Sequence, residues 1–180
     1  MRETEYLKEN KNALEMLRRI EKFQAFSQEN IESFLEIGKL REYDAGETII
    51  RKGDTDQWAY FLLSGEVKIV KGEKTFAVLN KSGELFGEMG VIDGSPRSAS
   101  AWAQNKTLLL GVDCAKIPTE QDRKGVIFHY TIFRLFAECL AERLRLTNDE
   151  VLSLQKELKM KDQEIARLKG ENTDDSTLWI

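Results

Sequence analysis

Glu88 and Arg97 stand nine positions apart in the stretch Phe86 to Trp102, FGEMGVIDGSPRSASAW, with glycines and one proline between them. A guanidinium forks two donors onto a phosphate. A carboxylate accepts from a sugar hydroxyl. Gly87 allows close backbone approach, and a short helix predicted to open at about Glu88 offers free N–H groups to an anion. The pair suits a small anionic ligand that also carries hydroxyls. Plainer readings exist: Arg97 in a surface ion pair, Glu88 as a carboxylate at a helix N-terminus.

The surrounding sequence predicts an α+β chain in three zones. Residues 1–39 read as helical: Leu7, Leu14, Leu17 and Ile20 recur at three-to-four spacing. Ser27 is a good N-cap for a second helix that turns Ile31, Phe34 and Leu35 inward. Residues 40–121 alternate short β-forming runs with turns at Gly46, Gly53, Gly65, Gly72, Gly83 and Gly94, the texture of an antiparallel sandwich or barrel. Residues 122–170 form one long helix, ended by Gly170. Tyr130, Ala137, Leu144, Val151, Leu158 and Ile165 share one heptad position; Phe133, Leu140, Thr147, Leu154, Lys161 and Leu168 share another. A helix this long cannot bury its far half on one small domain, so pairing with a copy of itself is expected. Residues 171–180 read as a disordered tail, whose Leu178-Trp179-Ile180 end is either unstructured or a docking peptide.

The stretch from Phe86 closely resembles the phosphate-binding cassette of cyclic-nucleotide-binding domains, of the form FGE-(Leu/Met)-x-x-(Ile/Leu)-x-x-x-x-Arg-(Ser/Thr/Ala)-Ala. Three weaker similarities flank it in the right order: FQAFSQENIESFLEIGKL, IIRKGDTDQWAYFLLSGEVKIV and LAERLRLTN, so that the resemblance covers roughly residues 20 to 150. It implies a jelly-roll (a double-stranded β-helix) flanked by helices, and a sensor rather than an enzyme. It also implies roles. Glu88 would hold the ribose 2′-hydroxyl and Arg97 the cyclic phosphate. Backbone N–H groups around Gly87, Met89 and Ala99, next to Phe86, would complete the cradle. Ser98 would touch phosphate or a purine edge, or be a plain loop serine. Ile69 and Phe76 would wall the purine, or be ordinary strand core. Thr147 and Asn148 match the positions at which bacterial catabolite activators reach the base, one across the dimer. Thr147 equally reads as a polar residue that sets coiled-coil register. Asn148 departs from the activators' serine, and the IDGSPR wording is closer to kinase regulatory subunits. The ligand that the resemblance implies is a cyclic nucleotide: cAMP, cGMP or another.

Composition narrows the partners. The chain has 180 residues, 41% hydrophobic, with a net charge of −4, which argues against a nucleic-acid surface. The segment from Asp149 to Gly170 lacks a basic excess, and no helix-turn-helix pattern follows the long helix. No eighteen-residue apolar run occurs, so no membrane partner is expected. The charged amino-terminal residues do not read as a signal peptide. Cys114 and Cys139 read as buried free thiols, which makes the cytoplasm the expected compartment. A single histidine, His129, leaves no multi-histidine metal site, and no cofactor is expected. The expected partners are a cyclic nucleotide, a second copy of the chain and an unidentified protein effector. Two rivals remain: a ligand-free scaffold with a coiled-coil tail, and an enzyme on a cupin-like barrel.

Overall fold

Glycine turns cut the middle of the chain into short strands. In the computed structural model, which describes residues 1–4, 7, 15, 17–24, 26–117 and 123–174, the six glycines expected at turns all take positive φ, between +66° and +97°. The elements in chain order are β1 (Arg2–Glu3), α1 (Glu21–Gln24), α2 (Gln28–Ile37), β2 (Gly38–Tyr43), β3 (Thr48–Ile50), β4 (Trp58–Ser64), β5 (Val67–Lys71), β6 (Lys74–Leu79) and β7 (Leu85–Phe86). Next come α3 (Glu88–Asp93), β8 (Ser100–Ala103), β9 (Thr107–Asp113), a 3₁₀ turn at Cys114–Lys116 and α4 (Arg123–Asp174).

The strands make two antiparallel sheets, ordered β1-β2-β9-β4-β7 and β3-β8-β5-β6. Strand alternation sends one face of each inward. Tyr43, Tyr60, Leu62, Phe86 and Leu109 from the first sheet meet Ile50, Val67, Leu79, Ala101 and Ala103 from the second in one core. This is the jelly-roll expected from the resemblance.

The helical entry packs on the roll through aromatic edges. The Ser27 side chain accepts from the Asn30 N–H at 3.2 Å and so starts α2. Ile31, Phe34 and Leu35 are buried as expected. Phe23 meets Phe34 at 5.0 Å and Phe61 at 5.1 Å, and Phe34 meets Phe128 of α4 at 5.0 Å, all edge-to-face. Leu7, Leu17 and Ile20 are buried, while Leu14 lies outside the described residues.

Several boundaries differ from the expectation. Residues 2–3 are not helical: they pair with β2 and extend its sheet. The roll begins at Gly38 rather than residue 40, because the glycine pairs opposite Val112 as the first rung of β2. Gly170 does not end the long helix, which runs through it to Asp174. One interior glycine costs about 1 kcal/mol, which a formed helix tolerates. The 171–180 tail is therefore helical at its start, and Leu178-Trp179-Ile180 falls outside the described residues.

The chain divides into two units, residues 1–136 and 137–180. In the first, α4 buries Phe128, Ile132, Leu135 and Phe136, a different stripe from the heptad position of Tyr130, which is exposed. In the second, the heptad residues Leu144, Val151, Leu154, Leu158, Ile165 and Leu168 are all exposed. Both cysteines are buried free thiols, and burial pushes the Cys114 thiol up to about 12.

Candidate functional site

The cassette grows out of a two-residue strand. β7 pairs Phe86 with Tyr60 and Leu85 with Phe61, and the Phe86 ring stacks on Tyr60 at 5.3 Å. Phe86 is thus buried core beneath the cassette. At Gly87 the backbone turns left-handed, φ +84°, and α3 begins at Glu88 as predicted. A Cβ at Gly87 would stand 3.0 Å from the Trp58 carbonyl and 3.1 Å from Arg97 Nη1, so glycine is required by both conformation and space. The segment returning from α3 is clamped to the β3–β4 loop: the Arg97 N–H donates to Asp54 O at 2.8 Å, and the Gly53 N–H to Arg97 O at 2.9 Å.

Glu88 and Arg97, 1% and 4% exposed, are the two charged side chains that the fold buries among the described residues. Buried charges are costly unless paired and hydrogen-bonded. Arg97 is both. Its Nε donates to Asp56 Oδ2 at 3.2 Å and its Nη2 to Asp56 Oδ1 at 2.5 Å. Nη2 also donates to the Trp58 carbonyl at 2.5 Å, and Nη1 to the Gly87 carbonyl. Partial burial pushes the Asp56 carboxyl up, but the Arg97 hydrogen bonds and charge outweigh this and leave it below its ordinary value. Among the described residues, four of the five guanidinium donors are directed at protein oxygens, and the fifth, on Nη1, is not.

Phe86, Gly87, Glu88, Met89, Arg97, Ser98 and Ala99 therefore lie in one strand–helix–loop unit. Met89 is half exposed, Ser98 is exposed and Ala99 is half-buried where β8 begins. Ile69 sits on β5 opposite Ala101 and packs against the edge of the core. Phe76 is 68% exposed on β6, an edge strand, and is not core. Thr147 and Asn148 belong to the second unit. Both are exposed, and the Thr147 hydroxyl donates back to Arg143 O at 2.9 Å.

Asp56 and Trp58 are the site residues that sequence reasoning missed. Asp56 precedes Arg97 by 41 positions, and the neighbouring Asp54 is an equally plausible carboxylate on paper. The available signal is general: a buried arginine demands a carboxylate.

Comparison with known proteins gives the site a family. The model of the cyclic nucleotide-binding domain matches residues 40–117. A cyclic AMP receptor protein of Thermus thermophilus is 37% identical over 95 residues, 50% of this chain and 44% of that protein. A cGMP-dependent protein kinase of Eimeria tenella is 25% identical over 162 residues, 90% of this chain and 14% of the kinase. The chain thus spans less than half the length of these curated relatives. A solved cyclic nucleotide-binding domain from Methylobacillus flagellatus superposes with a TM-score of 0.63 at 25% identity, covering 78% of this chain and 80% of that one. The β-roll of this chain, residues 40–117, is a member of the cyclic nucleotide-binding domain family.

Proposed function

We propose that the protein is a cyclic-nucleotide sensor, not an enzyme, that binds cAMP or cGMP in the cassette and passes the signal on through its C-terminal helix. The observation that carries this reading is the burial of Glu88 and Arg97 together, in a loop that offers a remaining guanidinium donor. Family membership supports a sensor or regulatory role. In the proposed complex Arg97 grips the cyclic phosphate. A two-point grip takes the remaining Nη1–H and one donor now held by Asp56, whose carboxylate is 38% exposed and can turn to water. Glu88 accepts from the ribose 2′-hydroxyl. Gly87, Met89 and Ala99 contribute backbone N–H groups, Ser98 its hydroxyl, and Ile69 and Phe76 apolar surface for the base.

The exposed heptad residues of α4 pair with those of a second copy, which makes the sensor a homodimer. Ligand shifts the population only by binding the signalling state better than the resting one, and the paired helices present that state to a protein effector. Among the described residues no helix is long and apolar enough to cross a membrane, and the proposed setting is the cytoplasm, with no nucleic-acid partner.

The scaffold reading keeps one supporting observation. Arg97 already has an internal counter-ion, so the fold does not need a bound anion. Thermal melting with cAMP and with cGMP separates the two. A sensor melts higher in proportion to the logarithm of ligand concentration. A melting temperature indifferent to both nucleotides at millimolar concentration favours the scaffold.

A further inference from the structure

Trp58 is tied to Arg97 by its backbone and to Arg41 by its ring. Its carbonyl accepts from Arg97 Nη2, and its N–H donates at 3.1 Å to Asp56, the carboxylate that Arg97 also grips. On the ring side, the Arg41 guanidinium lies 3.8 Å from the indole centroid. A cation held on an aromatic face favours one placement of that ring. Arg41 Nη1 also donates to the Tyr60 hydroxyl at 2.6 Å, and Tyr60 stacks on Phe86, the residue before Gly87. Arg41 thus reaches both ends of the cassette's support: Trp58 beneath the guanidinium and Tyr60 beneath β7. The two rings share a slot over Gly111, where a Cβ would come 3.2 Å from Trp58 and 3.3 Å from Tyr60.

Arg41 is itself held from outside the cassette. Its Nε donates to Glu3 Oε2 at 2.5 Å, and the other Glu3 oxygen accepts from Lys39 Nζ at 2.7 Å. Glu3 lies in β1, directly opposite Arg41 in the ladder. The Arg41 side chain is 12% exposed and that of Glu3 27%, so this bridge is better shielded than an ordinary surface pair. β1 therefore meets a side chain that touches both supports.

We propose that Arg41 is a positioning residue for the Arg97 guanidinium, acting through Trp58 and Tyr60, and that β1 governs it through Glu3. While Glu3 grips Arg41, the indole is pinned and the Trp58 carbonyl stays under Arg97. When β1 detaches, Arg41 loses its anchor, Trp58 gains freedom and the cassette holds an anion less well. The effect on ligand rests on the cyclic-nucleotide reading; the effect on Arg97 does not.

The test uses the full chain labelled with ¹⁵N-arginine. The Arg97 Nε–H, which donates to Asp56 Oδ2, gives a resonance assigned by its loss in Arg97→Lys. Wild type is compared with Arg41→Lys, which keeps the charge but not the planar stack, and with Glu3→Gln, which leaves the core untouched. The Arg97 signal is expected to shift or broaden in both variants without ligand, while backbone amides away from the cassette and β1 stay in place. Affinity for cAMP or cGMP is expected to fall about three- to tenfold in both, with little change in the melting temperature of Glu3→Gln. An Arg97 signal indifferent to both substitutions overturns the proposal. A wild type that binds neither nucleotide, but whose Arg97 signal follows Arg41, supports the positioning role and sinks the ligand reading.

Discussion

Arg97 meets Asp56 at two points, Nη2 to Oδ1 at 2.5 Å and Nε to Oδ2 at 3.2 Å, with the guanidinium buried and the carboxylate at the protein surface. This asymmetry gives the pair two uses. The carboxylate neutralises a charge that the fold could not otherwise bury. It can also yield, because water is available to solvate it. In the proposed sensor this lets the cassette form without ligand and release a donor to it.

The pair makes stability depend on acid. Asp56 lies below its ordinary carboxyl value of 3.8, because hydrogen bonds and charge from Arg97 outweigh partial burial. A lowered carboxyl contributes stability that is fully present above the ordinary value and is lost as pH falls through the folded value. Asp56→Asn should therefore be less stable than wild type at neutral pH, by about 1 kcal/mol once the exposure of Asp56 is allowed for. The gap should narrow below pH 3.8. Urea midpoints of both proteins across that range check it. A gap that does not change with pH contradicts the assignment.

A side chain at Gly87 should be destabilising. Its φ of +84° and the 3.0 Å approach to the Trp58 carbonyl both act against Gly87→Ala, which should cost about 1–2 kcal/mol from backbone conformation alone. Gly46 also has positive φ but has open space around its Cβ, so Gly46→Ala should cost less. Equal losses at the two positions, measured by denaturant unfolding, would show that the close approach does not matter.

Phe34 ties the helical entry together and to α4, while its neighbour Phe23 carries the contact to Phe61 of the roll. Phe34 is fully buried and meets Phe23, Phe26 and Phe128. Phe34→Ala should destabilise the first unit by about 3–5 kcal/mol. A loss below 1 kcal/mol in a thermal melt, of the size expected for a surface position, would remove Phe34 from the core.

The exposed heptad residues make an oligomer prediction. Wild type should sediment as a dimer, and the double substitution Val151→Glu, Leu158→Glu should sediment as a monomer with its β-roll intact. A monomeric wild type at micromolar concentration removes the coiled coil from the account.

How much of this was readable in advance follows from the range of each interaction. Ser27 as an N-cap, the turn glycines, the helix start at Glu88 and the burial of Phe34 are set by neighbours in sequence, and each is found where expected. Glu88 and Arg97 were legible because one short motif carries both. Asp56 and Trp58 were not, because their part in the site arises only when β4 is laid against β7 and the cassette. Nor was β1, since two residues carry no period and their pairing with β2 is a tertiary event. The end of the long helix was not legible either: a lone glycine stops a helix only where little else sustains it, and α4 passes through Gly170. Its heptad residues from Leu144 onward are exposed, whereas near Tyr130 the helix buries Phe128 and Ile132, off the heptad positions.

The most direct test is a calorimetric titration of the full chain with cAMP and with cGMP, repeated on Arg97→Ala. The account predicts saturable binding of at least one nucleotide by wild type and a loss of about 2–4 kcal/mol in the variant, since a charge-assisted two-point contact disappears. An Arg97→Ala protein that binds as tightly as wild type, or a wild type that gives no heat with either nucleotide, contradicts it.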